Sequence, residues 1–72
     1  MTPAPRIVWR HLTAGIRYGV VVLPGVETPA YRVERHDDAW VLVGPCGAEL
    51  ARGTLAEVQD AARRDLAGRW AA

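Results

Sequence analysis

The sequence predicts a small α+β fold in which a meander of four or five antiparallel strands is packed by one C-terminal helix. Short β-rich segments separated by Gly, Pro or Asp turns fill residues 6–52. A capping box, Thr54-x-x-Glu57, then predicts the start of a helix. A chain of 72 residues allows one domain, which we place at residues 6–72 behind a disordered N-terminus at 1–5.

The strands are predicted from β-branched and aromatic residues bounded by glycine and proline. Because Pro24-Gly25 and Pro29 interrupt regular structure, we expect a loop between the second and third strands. The predicted strands span residues 6–12, 16–23, 31–36, 39–44 and 48–52.

Two short turns set the order of the later strands. Asp37 and Asp38 form a two-residue link, and aspartate tolerates the left-handed backbone that such a hairpin needs. Pro45 suits the second position of a tight turn and Gly47 its exit. We therefore expect antiparallel hairpins on both sides of the fourth strand.

The helix is predicted over about residues 54–67. The Thr54 hydroxyl can accept from the N–H of Glu57 while the Glu57 carboxylate accepts from the N–H of Thr54. The helix either ends at Gly68 or continues through it. Its predicted buried side carries Leu55, Val58, Ala62, Leu66 and Trp70.

Composition excludes several function classes. The net charge of +1 provides no global field toward nucleic acid or anionic lipid, although all nine basic residues are arginine. The longest aliphatic run, at 20–23, is too short to span a bilayer. The single cysteine, Cys46, excludes an intrachain disulfide and fits a reducing, cytoplasmic location.

No catalytic, cofactor or metal site is predicted, and no small-molecule substrate is expected. The chain contains no serine and no phosphate-binding glycine loop. Cys46, His11 and His36 lack the short paired spacings of structural zinc ligands. We therefore expect a binding protein that is not an enzyme and whose thin core gains stability by association.

The Asp37-Asp38 hairpin fixes which residues share a face. It places Val33 opposite Leu42 and Arg35 opposite Trp40, so Arg35 is a candidate to stack on that indole. The predicted core face collects Tyr31, Val33, Trp40 and Leu42, joined by Ile16, Tyr18, Val20 and Val22 if the second strand pairs in the matching register.

One helix covers only one face, so the other face is predicted to be open. An apolar centre with an arginine-rich rim is typical of contact surfaces, and we predict a protein partner here, a homodimer included. The alternative is that the N-terminal strand or Trp70 covers scattered valines. Besides Val21, the predicted partner-binding residues are Arg17, Arg32, Glu34, His36, Val41, Val43, Leu50 and Arg52.

About half of the chain also carries a resemblance, through Tyr31-Arg32-Val33, Trp40, Gly47, Gly53-Thr54-Leu55-Ala56-Glu57 and Ala61-Ala62. This half resembles the small β-meander-plus-helix proteins of actinobacteria and their bacteriophages. It is also similar to AP2-type and phage-integrase arm-binding DNA domains, in which a three-stranded sheet backed by a helix enters the major groove. That second resemblance implies DNA contacts at Arg32, Arg35 and Trp40 and keeps sheet-mediated DNA binding as the alternative function.

Overall fold

The computed structural model describes residues 4–71, with side chains described as far as residue 69. The chain forms a five-stranded antiparallel sheet in the order β1-β2-β3-β4-β5, followed by one helix, which confirms the predicted fold class. The elements are β1 Arg6–Thr13, β2 Ile16–Leu23, β3 Val26–His36, β4 Ala39–Val43, β5 Glu49–Gly53 and α1 Leu55–Ala71. Within the described residues, no helix is long and apolar enough to cross a bilayer.

The predicted loop between β2 and β3 is wrong. A tight turn at Pro24 and Gly25, with Gly25 at a φ of 78°, leads directly into β3. Pro29 lies within β3 beside a bulge that leaves Ala30 without a partner on β2. This part of β3 pairs only with β2, because β4 first pairs at Arg32. A proline without an N–H is tolerated at a bulge or a strand edge.

The two predicted turns are confirmed. Asp37 takes a left-handed φ of 57° between β3 and β4, as a two-residue hairpin requires. The N–H of Gly47 donates to the carbonyl of Gly44 at 3.0 Å, which places Pro45 at the second position of the turn. These turns bring β3, β4 and β5 into consecutive antiparallel pairing.

The capping box of α1 is confirmed by two reciprocal hydrogen bonds. The Glu57 N–H donates to Thr54 Oγ1 at 3.2 Å, and the Thr54 N–H donates to Glu57 Oε1 at 3.2 Å. These bonds hold the pKa of Glu57 below its ordinary value, because they favour the charged carboxylate. The helix continues through Gly68 to Ala71, while the predicted role of the Trp70 side chain lies outside the described residues.

The core lies between α1 and the sheet. The helix packs against β3, β4 and β5, since its apolar stripe faces the residues of those strands that point to the same side. The fully packed cluster consists of Tyr31, Val33, Leu42, Val58 and Ala62. Partly buried neighbours from β1 and β2 extend this core past the helix.

A polar contact joins the sheet to the last turns of α1. The buried Tyr31 hydroxyl donates to Asp65 Oδ2 at 2.6 Å, and Arg69 Nε donates to the same oxygen at 2.6 Å. Burial, followed by the neighbouring Asp65, raises the pKa of Tyr31 to about 12. The hydrogen bond from Tyr31 and the Arg69 guanidinium lower the pKa of Asp65. The sequence pattern does not predict this network.

The predicted register of β2 is wrong by one residue. Arg17 pairs with Val33 and Gly19 pairs with Tyr31, so Arg17, Gly19 and Val21 point to the helix side. The residues predicted for the core face, namely Ile16, Tyr18, Val20 and Val22, therefore point to the side away from α1. A shift of one residue exchanges the two faces of a strand, so every β2 assignment changes with it.

The physical reason for this register is the indole of Trp9. Gly19 lies opposite Trp9 on β1, and a Cβ atom at Gly19 would come within 2.9 Å of Trp9 Cζ3 and 3.0 Å of Ile7 Cγ2. The missing side chain at Gly19 thus provides the space in which Trp9 packs against the core. Sequence patterning alone identifies Gly19 as a β2 residue and does not show which face needs this space.

Candidate binding surface

The open face is the side of the sheet that points away from α1. Strand alternation and the observed pairings define it, because directly opposed residues share a face. Its apolar members are Val8, Ile16, Tyr18, Val20, Val22, Val41 and Val43. Its charged or titratable members are Arg6, Arg10, Glu27, Arg32, Glu34, His36, Glu49 and Arg52.

Most of the predicted partner-binding residues lie on this face. They are Arg32, Glu34, His36, Val41, Val43 and Arg52. Arg17 and Val21 do not, because the β2 register turns both toward the helix side. Leu50 is the extra residue of a bulge in β5, and its side chain lies beside Gly44 at the end of β4. The predicted face is therefore correct for these residues of β3 and β4 and for Arg52 on β5, and wrong for those of β2, while their binding of a partner stays a prediction.

The predicted apolar centre of the open face is also wrong. Val41 is only 4% exposed and Val20 only 6%, although no element of the described residues packs over them. Arg32 and Glu34, on the central strand β3, stand between the apolar residues of β2 and β4. Long charged side chains cover apolar surface with their aliphatic stems, so the middle of the open face is charged and its valines lie beneath.

A short row of charges runs along β3. Arg32 Nε lies 2.7 Å from Glu34 Oε1, and His36 Nε2 lies 3.1 Å from Glu34 Oε2. Arg32 and Glu34 form an ion pair whose angles do not meet the geometry of a hydrogen bond. Glu34 therefore contacts both neighbours, and its side chain is the least exposed of the three, at 24%. This row fixes the orientation of the Arg32 side chain over the sheet.

The sheet carries two further arginine–glutamate pairs, one from the outer strand β1 to the central strand β3 and one within the outer strand β5. Arg10 Nη2 lies 3.5 Å from Glu27 Oε2, and Arg52 Nη2 lies 2.9 Å from Glu49 Oε1. All four side chains are at least half exposed, so each pair contributes little to stability. The charge of the open face is nevertheless close to balanced, because three of its four arginines, Arg10, Arg32 and Arg52, have a glutamate neighbour.

Among the described residues, the exposed large apolar side chains lie on the two edge strands and at the start of β3, where Val26 is 52% exposed beside the β2–β3 turn. On β1, Val8 is 36% exposed and Leu12 is 57% exposed, and β1 pairs with no strand on its outer side among the described residues. At the other margin, Leu50 is 40% exposed. An eight-residue edge strand with accessible valine and leucine is a template for pairing with another chain.

The open face does not assemble a nucleophile beside its histidine. The Glu34–His36 contact could orient an imidazole, but the chain has no serine. Cys46 is exposed in the β4–β5 turn, whereas His36 precedes the β3–β4 turn at the opposite end of β4. Five strand residues separate these ends, which corresponds to roughly 16 Å. Among the described residues, no three His, Cys, Asp or Glu side chains are grouped as a metal site.

Comparison of the chain with models of protein families, with curated proteins and with solved structures finds no match. Function is therefore inferred from the geometry of this molecule.

Proposed function

We propose that this protein is a non-enzymatic binding protein whose open face and β1 edge associate with a protein partner, and that a second copy of the chain is that partner. The observation that carries the proposal is the single layer of helix. The helix packs on one side of the five-stranded sheet, while the other side presents paired charges, the partly buried Tyr18 and, at the β1 edge, Val8.

The size of the open face supports an interface between proteins. The molecule measures 42 by 22 Å along its two longer axes, so one face is comparable with the roughly 800 Å² that each partner contributes to a stable complex. A chain of 72 residues also has a thin core. Association would remove further apolar surface from water and stabilise the fold.

The edge strand supports a second copy as the partner. Val8 and Leu12 give β1 an exposed apolar component, and β-strand addition supplies backbone hydrogen bonds in the same contact. A two-fold interface uses the same patch on both subunits. The paired charges of the open face suit such a contact, because Arg10, Arg32 and Arg52 each keep a carboxylate neighbour when they are buried.

The same ion pairs argue against DNA binding by this face. Arg10, Arg32 and Arg52 each have a glutamate within 3.5 Å, and these carboxylates would repel a phosphate backbone. Of the residues implied by the DNA-domain resemblance, Arg32 lies on the open face, whereas Trp40 and Arg35 lie on the helix side. We therefore place DNA binding second.

The test is the solution mass of the wild type and of Val8→Arg. A new charge at this edge position should prevent strand pairing and leave the fold intact, because Val8 is already 36% exposed. Ala56→Arg, on the exposed side of α1, adds the same charge away from the open face and serves as control. We expect a dimer for the wild type and the control, and a monomer for Val8→Arg.

The salt dependence of binding separates the two functions. Binding of a labelled DNA duplex that weakens steeply with added salt and is lost in Arg32→Gln would favour the DNA alternative. A monomeric wild type at every concentration would contradict self-association. In that case, a different protein partner would have to be captured by the wild type and by Ala56→Arg but not by Val8→Arg.

A further inference from the structure

On the helix side, one end of the sheet carries a row of cationic and aromatic side chains. His11 on β1 is directly opposite Arg17 on β2, and Arg35 on β3 is directly opposite Trp40 on β4. Arg17 pairs with Val33, which makes Arg17 and Arg35 diagonal neighbours about 7–8 Å apart. The row therefore crosses four adjacent strands on one face.

Arg17 is held in place by Trp40. Its guanidinium carbon lies 5.6 Å from the centroid of the indole, within the range of a cation–π contact. The stacking arginine is therefore Arg17 and not the predicted Arg35, because Arg17 lies on the helix side after the β2 register is corrected. Arg17 is half-buried, and its Nε atom is buried without a hydrogen-bond partner.

The row lacks acidic partners. Within the described part of the chain, neither Arg17 nor Arg35 has a carboxylate oxygen within 4.0 Å, whereas five other arginines do. Arg35 and His11 are exposed, so α1 does not cover them. Two guanidinium groups with unused donors, one of them oriented by an indole, are left facing solvent.

We propose that Arg17 and Arg35, with His11 at the margin, form a binding site for a phosphate group. One guanidinium group can donate hydrogen bonds to both oxygens of a carboxylate. A phosphate has more oxygens and can accept from two guanidinium groups at once. Arg17 is held on Trp40, so it loses little freedom when the anion binds. The site lies opposite the open face and does not depend on self-association.

The experiment is a titration at low salt with two probes, inorganic phosphate and a short single-stranded thymidine oligonucleotide. The signal is the NMR shift of the Trp40 indole N–H, which lies next to Arg17. Arg35→Gln removes one exposed guanidinium with little effect on packing. Arg64→Gln removes the same charge from the outer side of α1, where Arg64 pairs with Asp60, and serves as control. Arg17→Met keeps an apolar chain over the indole and tests the second arginine.

We expect both probes to move the Trp40 signal and Arg35→Gln to weaken binding by about tenfold. Arg64→Gln should change the affinity for either probe by about twofold or less. Similar affinity for both probes would identify a free phosphate as the ligand, and tighter, steeply salt-dependent binding of the oligonucleotide would identify a polynucleotide backbone. No shift of Trp40 with either probe, or equal weakening in the Arg35 and Arg64 variants, would overturn the proposal.

Discussion

The two faces of this sheet contain similar residues and reach burial by different means. On the helix side, Val33 and Leu42 are 0% exposed because α1 lies across them. On the open face, Val20 and Val41 are nearly as buried, at 6% and 4%, although no helix or strand between residues 4 and 71 packs over them. Their neighbours on the same face belong to the sheet itself: Val41 lies between Glu34 and Arg52, and Val20 lies between Val8 and Pro29.

Because of this difference, the burial of a sheet residue does not show whether another element covers its face. An alternating pattern predicts two faces, and the number of helices predicts that one of them is open. The pattern does not predict that arginine and glutamate stems cover the valines of the open face. The exposed large apolar side chains are consequently found on the edge strands, at Val8, Leu12 and Leu50, and beside the β2–β3 turn, at Val26. A search for contacts should therefore begin at the β1 edge.

The largest expected effect tests the helix side. Leu42→Ala should destabilise the protein by about 2–5 kcal/mol, because it empties a fully buried position against α1. A core of this size supplies about 3–5 kcal/mol, so this variant should be largely unfolded. Val43→Ala, the next residue and on the open face, should cost about 1 kcal/mol or less. Urea unfolding measures both, and equal losses would remove the distinction between the faces.

A substitution at Gly19 tests the corrected register of β2. We expect Gly19→Ala to destabilise the fold by about 1–3 kcal/mol, because the new methyl group would overlap the packed Trp9 ring. Gly15→Ala is the control, since its Cβ would meet only Arg35 Cβ at an ordinary 3.7 Å. If Gly19→Ala were as stable as Gly15→Ala in thermal unfolding, Gly19 would point to the open face instead.

The Tyr31–Asp65 contact ties the sheet to the end of α1. Tyr31→Phe should cost about 1–2 kcal/mol near neutral pH, through the loss of a charge-assisted hydrogen bond. The wild type should also lose stability as pH rises from about 10 to about 12, because the unfolded tyrosine releases its proton first.

The phenylalanine variant should lack most of this alkaline loss, which urea midpoints at a series of pH values would reveal. At the acid end, folding lowers the pKa of Asp65. The ionised carboxylate therefore stabilises the fold above the ordinary pKa of aspartate, and this stabilisation is lost as pH falls through the lower folded value. An alkaline profile identical in wild type and Tyr31→Phe would show that Tyr31 does not titrate as described.

The smallest expected changes in stability come from substitutions in α1, the helix that covers only one face of the sheet. Thr54→Ala should cost about 1 kcal/mol by removing the acceptor at the first turn of α1. Gly68→Ala should stabilise the protein by about 0.5–1 kcal/mol, because Gly68 lies inside the helix with nothing within 4 Å of an added Cβ. Circular dichroism during thermal unfolding would detect both shifts, and shifts of the same sign would contradict the observed helix boundaries.

The parts of the fold that depend on local chemistry could be predicted from the sequence. The Asp37-Asp38 hairpin, the Pro45 turn and the Thr54–Glu57 capping box each place a specific side chain in a specific backbone role. The side of the sheet on which each β2 residue lies could not be predicted in this way. One set of alternating β2 residues is apolar, and the other contains Val21 and Arg17, whose guanidinium can stack on an aromatic ring. That choice depends on Trp9 and Gly19, which meet only after β1 and β2 pair.

The measurement that bears most directly on the proposed function is the solution mass over a concentration series by light scattering, for the wild type, Val8→Arg and Ala56→Arg. We predict a mass that rises to twice the 7.9 kDa of one chain for the wild type and Ala56→Arg, and stays at that of one chain for Val8→Arg. A wild type that remains monomeric throughout, or a Val8→Arg variant that dimerises as well as the wild type, would contradict self-association through the open face and the β1 edge.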